Sequence, residues 1–268
     1  MIIYSERVDL ATFEKRINAA FCEHIGINLS ENQVMHFYAF MNLLIEKNKV
    51  MNLTAITEPE KIITRHFVDS CMLLKFFPVH TGGSADNSPE GAVGHAVSSS
   101  FRRVVDIGTG AGFPGIPLAI MADSVDFVLT DSLGKRVDFL RVVIDALGLR
   151  NAVAVHTRAE DFCHDATYRE SFDFALSRGV AKLSVLSEYS LPAVKVGGKM
   201  ISYKLDDIKP ELDESQNAIK ALGGVFHMKH SYDLIPDEPR RCLVEIEKIS
   251  ETPNQYPRKA GLPSKRPL

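Results

Sequence analysis

A glycine-rich loop directly after an apolar stretch is the segment of this sequence best suited to ligand chemistry. It carries Gly108, Gly110 and Gly112 behind Asp106. Glycine has no Cβ, so the backbone can turn sharply here and approach a ligand closely. The helix predicted to follow presents unpaired N–H groups and a partial positive charge to the same ligand. The segment therefore predicts a site for a nucleotide-like molecule.

Two such molecules fit the loop. The spacing Asp106-x-Gly108-x-Gly110-x-Gly112 is typical of proteins that bind S-adenosylmethionine (SAM). The spacing Gly110-x-Gly112-x-x-Gly115 also satisfies the dinucleotide fingerprint of NAD-binding proteins. By itself the loop leaves both cofactors open.

Asp131 adds a carboxylate at the end of the next predicted strand. Its distance from the glycines is close to the spacing of about 20 residues at which a carboxylate meets ribose hydroxyls. SAM and NAD share that ribose, so Asp131 supports a nucleoside without choosing between them. Its alternative role is to cap the helix predicted to begin near Leu133.

The elements that position this loop alternate between strands and helices in the region we define as the main domain, 102–250. The predicted strands are 103–107, 126–130, 152–156, 173–177, 198–203, 225–231 and 241–248. Helices fill most of the gaps, among them 133–147 and 207–222. Alternation of this kind indicates an α/β, Rossmann-like fold with a mostly parallel sheet. Seven strands with a short last connection favour an antiparallel last strand, and with it a class I SAM-dependent methyltransferase rather than a dehydrogenase.

A helical region, 1–78, precedes this domain. Capping-box patterns at Ser30–Gln33 and Thr57–Glu60 each predict the start of an amphipathic helix. The second helix is expected to reach about Phe77.

Two further segments complete the predicted organisation. Residues 79–101 are rich in glycine and serine and predict a flexible linker or insertion. Residues 251–268 form a basic tail, for which a solvated, disordered terminus is favoured over a phosphate-binding role.

Composition bounds the class of protein. The 268 residues, 45% of them hydrophobic, can form one large core or a core with a small satellite domain. No apolar run approaches the ~18 residues of a membrane span and the start of the sequence, Met1–Phe13, does not read as a secretory signal, so we expect a cytoplasmic protein. Four scattered cysteines predict neither a metal site nor disulfides. The net charge of −3 requires any phosphate binding to come from local patches.

The identity of the methyl acceptor is narrowed by two absences. Methylation of exocyclic amino groups often uses a D/N-P-P-Y loop after the fourth strand, where this chain has Leu176–Ala181. Methylation at pyrimidine C5 needs a cysteine nucleophile, and no Pro-Cys pair ends a strand. An acceptor with its own in-plane lone pair, such as a purine ring nitrogen, needs neither device. Catalysis then consists chiefly of holding donor and acceptor in contact.

Cations follow four of the predicted strands, at the ends where open α/β sheets bind ligands. They are Lys135, Arg136, Arg158, Arg178 and Lys204. Any one alone is best explained as a solvated loop charge, but their convergence predicts a phosphate-binding rim. Glu160 is a candidate acceptor for an adenine amino group, with a helix N-terminal carboxylate as its alternative role. His66 is interpreted from the residues alone as a hydrogen-bonded structural histidine.

With these segments in view, the chain closely resembles the RsmG family, also called glucose-inhibited division protein B, of bacterial 16S ribosomal RNA methyltransferases. The segments that carry the resemblance are Asn48–Ile56, Arg65–Ser70, Val105–Pro117, Asp131–Arg136, Arg158–Glu160, Ser177–Arg178 and the tail segment Tyr256–Gly261. The resemblance implies SAM-dependent methylation of N7 of one guanine in the decoding-region loop of 16S RNA. It implies the RNA or the small ribosomal subunit as partner, and we expect a monomer. Guanine N7 is a free acceptor, in agreement with the acceptor argument. The 79–101 segment departs from the family's usual short connection.

The resemblance also implies roles for individual residues. The resemblance implies cofactor contacts at Gly108, Phe113, Ala159, Glu160 and Arg178. The residues predicted from the sequence pattern to contact the cofactor are Asp106, Gly110 and Gly112 of the glycine loop and Asp131 at the end of the next strand. The expected RNA contacts are Arg65, Lys135, Arg136, Arg158 and Lys204. No general base is expected; Arg178, Lys204 and His66 are the candidates for positioning the reactants.

Three alternatives stay open at this point. The chain could be a methyltransferase for a small molecule, or an NAD-dependent oxidoreductase that uses the second glycine spacing. It could also be a non-enzymatic RNA- or ribosome-binding protein that acts through its basic tail.

Overall fold

Helices form the N-terminal part of the chain, as predicted. A computed structural model describes residues 8–78 and 101–268. The helical elements before the sheet are α1 (Leu10–Ile25), α2 (Glu31–Met51), α3 (Pro59–Ile62), a π-helical turn (Ile63–Val68) and α4 (Asp69–Phe76). The predicted linker 79–101 lies outside the described residues except for Phe101, which is buried and stacks on Phe174 at 4.4 Å between ring centroids.

Only one of the two predicted capping boxes forms. The Ser30 hydroxyl accepts from the Gln33 N–H, and the Gln33 side chain accepts from the Ser30 N–H, so the box at the start of α2 is confirmed. The box at Thr57–Glu60 is wrong, because α3 has Glu58 as its N-cap residue without a side-chain cap bond. Pro59 sets this start, since its fixed φ and missing N–H suit the first helical position.

The helix predicted to reach about Phe77 contains a π-helical turn at Ile63–Val68. Such wider turns occur often at functional sites, because they redirect side chains within an otherwise regular helix. This one carries Arg65 and His66. The helical segment predicted to reach about Phe77 is therefore confirmed, with a wider turn that the sequence pattern did not predict.

The described residues contain a seven-stranded sheet in the order β3-β2-β1-β4-β5-β7-β6. The strands are β1 (Arg103–Ile107), β2 (Asp126–Asp131), β3 (Ala152–His156), β4 (Phe172–Arg178), β5 (Val194–Leu205), β6 (Gly224–Tyr232) and β7 (Arg241–Lys248). Strands β1 to β5 are parallel, and β7 runs antiparallel between β5 and β6. The predicted class I methyltransferase architecture is confirmed. The strand order reverses direction between β1 and β4, which is where open α/β sheets bind their ligands.

The connections between strands are helical. They are α5 (Gly115–Met121), α6 (Gly134–Leu147), α7 (Ala159–His164), α8 (Leu183–Ser190) with a 3₁₀ turn (Leu191–Ala193), and α9 (Lys209–Ala221); a short α10 (Leu262–Lys265) follows the sheet. Helices α6 and α9 match the predicted 133–147 and 207–222 closely. In the parts of the chain that the structure describes, no helix is both long and apolar enough to span a membrane.

We expect Gly115→Ala to lower the free energy of unfolding by about 2 kcal/mol. Helix α5 begins so close to the sheet that a Cβ at Gly115 would lie 2.1 Å from Leu129 Cδ2 and 2.9 Å from Asp106 Oδ2. The matched control is Gly134→Ala at the start of α6, where the Cβ would meet the exposed ring of His156 at 3.3 Å. Denaturant unfolding of both variants measures the difference, and equal stability would contradict this close approach.

The N-terminal helices share one hydrophobic core with the sheet domain. Phe40 of α2 lies 5.6 Å from the Phe67 ring and 5.3 Å from the Phe113 ring of the glycine loop, measured between centroids. The Tyr203 hydroxyl on β5 donates to the Ser70 carbonyl at 2.6 Å. The helical region is therefore built into one side of the ligand-binding end of the sheet.

The C-terminal tail is ordered, so the favoured prediction of a disordered terminus is wrong. The Arg258 guanidinium binds both oxygens of Glu188 on α8, and Pro263 in α10 is buried. The prediction considered only the charge of the tail itself. Its acidic partners come from distant elements, and this pairing exists only after the sheet has formed.

Candidate active site

An open cleft of about 530 Å³ borders the carboxyl ends of β1, β2 and β3. Its lining includes Gly108, Asp131, Arg158, Ala159, Glu160 and Val180. Four residues predicted to bind the cofactor thus share one cleft, which we call the cofactor cleft. The other predicted cofactor residues, Asp106, Gly110, Gly112, Phe113 and Arg178, lie beneath or beside this lining.

The glycine loop forms one edge of the cofactor cleft in left-handed backbone geometry. Gly110 has φ +63°, and its N–H donates to Asp131 Oδ2 at 3.0 Å. Gly108 has φ +70°, and a Cβ there would lie 2.9 Å from Val180 Cγ2. Both positions therefore favour glycine. Gly112 stabilises the turn of the loop, because its N–H donates to the Thr109 carbonyl at 3.0 Å.

Asp131 is buried and holds the start of the next connection in place. Its Oδ1 accepts from the Leu133 N–H at 2.8 Å, and its Oδ2 also lies 3.3 Å from the Arg136 guanidinium. Asp131 is not the cap of α6, whose N-cap residue is Leu133 without a side-chain cap bond, so the capping alternative is wrong; the carboxylate instead orders the turn before the helix and lines the cleft. Binding of ribose by Asp131 stays a prediction that this placement favours.

Asp106 lies fully buried under the loop. Its Oδ2 accepts from the Thr109 hydroxyl at 2.6 Å and from the Gly115 N–H at 2.8 Å. Its Oδ1 finds no hydrogen-bond partner among the described residues. Burial raises the pKa of this carboxyl to about 6. An unpartnered buried carboxylate oxygen beside the loop fits a ligand that brings a positively charged donor.

Glu160 lies in the first turn of α7 and is 4% exposed. Its Oε1 accepts from the backbone N–H of Gly261 in the C-terminal tail at 2.8 Å. The helix N-terminus stabilises a carboxylate at this position, as the alternative role proposed. Glu160 nevertheless faces the cofactor cleft together with Ala159.

A second pocket, of about 570 Å³, lies at the carboxyl ends of β4 and β5. We call it the acceptor pocket; Arg178, Lys204, Arg241, Asp69 and Tyr203 are among its lining residues. Asp69 is buried, and its Oδ2 accepts from Arg178 at 2.9 Å and from Arg241 at 3.1 Å. Three cations against one carboxylate leave this pocket positive in charge. Gly179 lines it and Val180 lines the cofactor cleft, so the two cavities are neighbours.

His66 joins the acceptor pocket to the glycine loop. Its ring stacks on Phe113 at 4.3 Å between centroids, and the Arg178 guanidinium lies 5.0 Å from the same Phe113 ring. Arg178 can only donate, so His66 Nδ1, at 3.2 Å, accepts, and the proton is on Nε2 facing Thr54 Oγ1 at 2.8 Å. The interpretation of His66 as a hydrogen-bonded structural histidine agrees with these contacts.

We expect the chain to lose stability relative to a His66→Gln variant as the pH falls from about 7 to 4. Burial, and next the charge of Arg178, lower the pKa of His66 from 6.5 to about 3. The unfolded chain takes up this proton near 6.5, whereas the folded chain does so only near 3. The contribution to stability is therefore complete above 6.5 and is lost progressively below it. Denaturant unfolding of both proteins across this range tests the shift, and parallel curves would contradict a buried neutral imidazole.

The cations predicted to contact RNA fall into two groups, those that are exposed and those that bind a carboxylate of the protein. Lys135 and Arg158 are exposed. Arg136 binds Asp131, Arg65 binds Glu238, and Lys204 Nζ binds Glu211 Oε1 at 2.6 Å. For these three residues the contact with RNA stays a prediction. Each cation would have to bind an RNA phosphate in addition to its carboxylate partner or in place of it.

Several residues of the site were not among the predicted site residues, although Asp69 and Gly261 lie in segments that carry the family resemblance. Asp69, Arg241, Tyr189, Val180, Gly261 and Ser264 all line the two cavities. Asp69 could have been noticed as a carboxylate inside the apolar run of α4. The others come from elements far apart in sequence, and only the folded sheet brings them together.

Comparison with known proteins identifies the family. The family described as rRNA small subunit methyltransferase G matches residues 33–85 and 91–234. The chain belongs to this family. It is 46% identical over 246 residues to ribosomal RNA small subunit methyltransferase G of Desulforamulus reducens, covering 92% of this chain and 95% of that protein. The corresponding protein of Clostridium botulinum strain Eklund 17B is 43% identical at the same coverage. The resemblance to the RsmG family is thereby confirmed.

Solved structures are more distantly similar. An rRNA methylase from Streptococcus thermophilus shares 20% identity at a TM-score of 0.42, covering 56% of this chain and 87% of that one. TYW2 from M. jannaschii in complex with AdoMet shares 15% identity at a TM-score of 0.45, covering 55% and 69% of the two chains.

The cofactor of this RsmG-family chain is SAM, and the site has features that suit it. Gly110 leaves open space where a Cβ would stand, Asp131 and Glu160 offer two carboxylates, and Asp106 Oδ1 lacks a donor. Within residues 8–78 and 101–268, no cluster of three or more His, Cys, Asp or Glu side chains is arranged to hold a metal ion.

Proposed function

We propose that this chain transfers the methyl group of SAM to N7 of a guanine in 16S ribosomal RNA. The observation that carries the proposal is the adjacency of two cavities of different chemistry. The cofactor cleft offers carboxylates, and the acceptor pocket beside it offers cationic donors. This pairing suits a nucleoside donor on one side and a nucleic-acid acceptor on the other.

The chain's own residues hold the donor. Asp131 and Glu160 accept from hydroxyl and amino groups, and Gly108 in the lining of the cleft lets the ligand lie against the loop backbone. Asp106 Oδ1 is available to a positively charged amino group near the loop. SAM, when bound here, supplies an electrophilic methyl group.

On the acceptor side the residues orient the base and its phosphates. Guanine presents O6 and N7 as acceptors, and the acceptor pocket supplies the donors Arg178, Arg241 and Lys204. N7 carries its own lone pair, so no proton has to be removed before transfer. His66 agrees with this role, since a pKa of about 3 keeps its ring neutral as a packing partner for Arg178 and Phe113. Exposed Lys135 and Arg158 lie where RNA phosphates can meet them.

The direct test is nucleoside mass spectrometry of 16S RNA from cells with and without this protein. We expect 7-methylguanosine to be lower by one residue per 16S molecule when the protein is absent. Incubation of the purified chain with SAM and that undermethylated RNA, naked or in small subunits, should restore it. Equal 7-methylguanosine in both cell types would contradict the proposal and return the small-molecule alternative to consideration.

A further inference from the structure

The last residues of the chain run back to the cofactor cleft after the final strand. Where this return begins, the Arg169 guanidinium donates to the carbonyl oxygens of Thr252, at 2.7 Å, and Tyr256, at 2.8 Å. The fully buried Lys248 ammonium donates to the Thr252 hydroxyl at 2.7 Å and to Glu170 at 2.9 Å. These contacts fix the direction of the chain before it reaches the cleft.

Arg258 is the anchor of the segment that follows, residues 258–264, which we call the C-terminal strap. Its backbone N–H donates to Glu188 Oε1 at 2.7 Å, and its guanidinium donates to Oε1 at 2.9 Å and to Oε2 at 2.6 Å. Glu188 is 1% exposed, so this ion pair is protected from solvent on one side. Such a two-point arginine–carboxylate contact fixes orientation as well as distance.

Beyond the anchor, the strap contributes directly to the cofactor cleft. Gly261 and Ser264 line it. The Gly261 N–H donates to Glu160 Oε1 at 2.8 Å, across a hundred residues of sequence. Tyr189 lines the same cleft and belongs to α8, the helix that carries Glu188. Helix α8 and the strap therefore both lie beside the Glu160 carboxylate. Without this donor, a nearly buried carboxylate would lose a charge-assisted hydrogen bond and the backbone that fixes its rotamer.

We propose that the C-terminal strap is a wall of the SAM site and that Gly261 positions Glu160 for the cofactor. This inference rests on the proposed function, because it takes the cleft at Glu160 to hold SAM. In this proposal the tail contributes to binding of the methyl donor. The alternative is that the tail binds RNA through its basic residues. Arg258 is a positioning residue in this arrangement, since it acts through the strap.

The test compares the full chain with a variant that ends at Ala260. The truncation removes Gly261 and Ser264 but keeps the Arg258 anchor. We expect the Kd for SAM, measured by calorimetry without RNA, to rise at least about tenfold. The KM for SAM should rise in parallel, while kcat at saturating SAM and the KM for 16S RNA stay within about twofold. The matched control is K265A/R266A in the full chain, which removes two charges but keeps the strap, and its SAM affinity should equal that of the wild type.

The outcomes separate the two proposals. Unchanged SAM affinity in the truncated chain, with or without weaker RNA binding, would overturn the proposed role of the strap. The proposed methyltransferase function would be unaffected by that result. Failure of the full chain to bind SAM overturns the proposed function itself. If the truncated chain shows no cooperative melting transition, Arg258→Ala in the full chain takes its place. It should weaken SAM binding, Arg258→Lys should restore part of the loss, and wild-type SAM affinity in Arg258→Ala overturns the strap.

Discussion

Replacing Arg178 by methionine is expected to lower kcat about 100-fold, because donor and acceptor are no longer held in register. Arg178 binds Asp69, donates to His66 Nδ1 and lies over the Phe113 ring of the glycine loop. No other described side chain makes all three contacts. The substitution is also expected to lower the free energy of unfolding by about 3 kcal/mol, since the buried Asp69 carboxylate loses its nearest cation. Single-turnover methyl transfer and denaturant unfolding measure the two effects separately.

Arg103→Met is the matched control for this substitution. Arg103 also lies over an aromatic ring, that of Phe172 at 4.6 Å, but at the amino end of β1, opposite the site. It should keep wild-type kcat. A folded Arg178→Met protein with wild-type kcat and wild-type SAM affinity would remove Arg178 from the site.

Asp131→Ala is expected to raise the Kd for SAM about 100-fold. The two hydrogen bonds that the ribose hydroxyls of SAM are proposed to donate to this carboxylate would be lost, at roughly 1.5 kcal/mol each. The carboxylate lines the cofactor cleft and also accepts from the Gly110 N–H, so its removal loosens the glycine loop as well. Calorimetric titration with SAM measures the change.

Two comparisons sharpen this result. Asp131→Asn keeps an acceptor for the Leu133 N–H and should retain the helix start, yet still lose most of the affinity. Asp138→Ala removes an exposed carboxylate from the outer face of α6 and should bind SAM as the wild type does. Wild-type affinity in Asp131→Ala would restrict this residue to the start of α6.

The site joins elements that act together mechanically. The π-helical turn at Ile63–Val68 carries His66 onto Phe113, and Asp69 follows directly at the start of α4. Through Asp69 the N-terminal helices bind β4 and β7. The helical region therefore contributes the carboxylate that both arginines of the acceptor pocket bind.

How far the sequence predicted the site can be judged from particular residues. Gly108, Asp131, Ala159 and Glu160 line one cleft, because strand ends in a parallel sheet converge; that they bind SAM stays a prediction. Asp69 and Arg241 were missed, since neither lies in a glycine loop or at the end of a parallel strand. The start of α3 was misplaced because Pro59 at the first helical position outweighed the capping pattern.

By itself the sequence predicted the architecture and a nucleotide-binding glycine loop, because periodicity, glycine spacing and strand-end residues are local properties; the family was indicated by the resemblance of its motif segments. The tertiary structure decided which charges are free and which are paired. Lys204 and Arg136 resemble Lys135 in sequence, yet in the fold the first two bind the nearby carboxylates of Glu211 and Asp131, seven and five residues away. It also decided that the tail is ordered, since Arg258 and Gly261 find Glu188 and Glu160 only after α7 and α8 have been packed on the sheet. The tail pairings join positions 70 and 101 residues apart in the chain, and no local pattern encodes them.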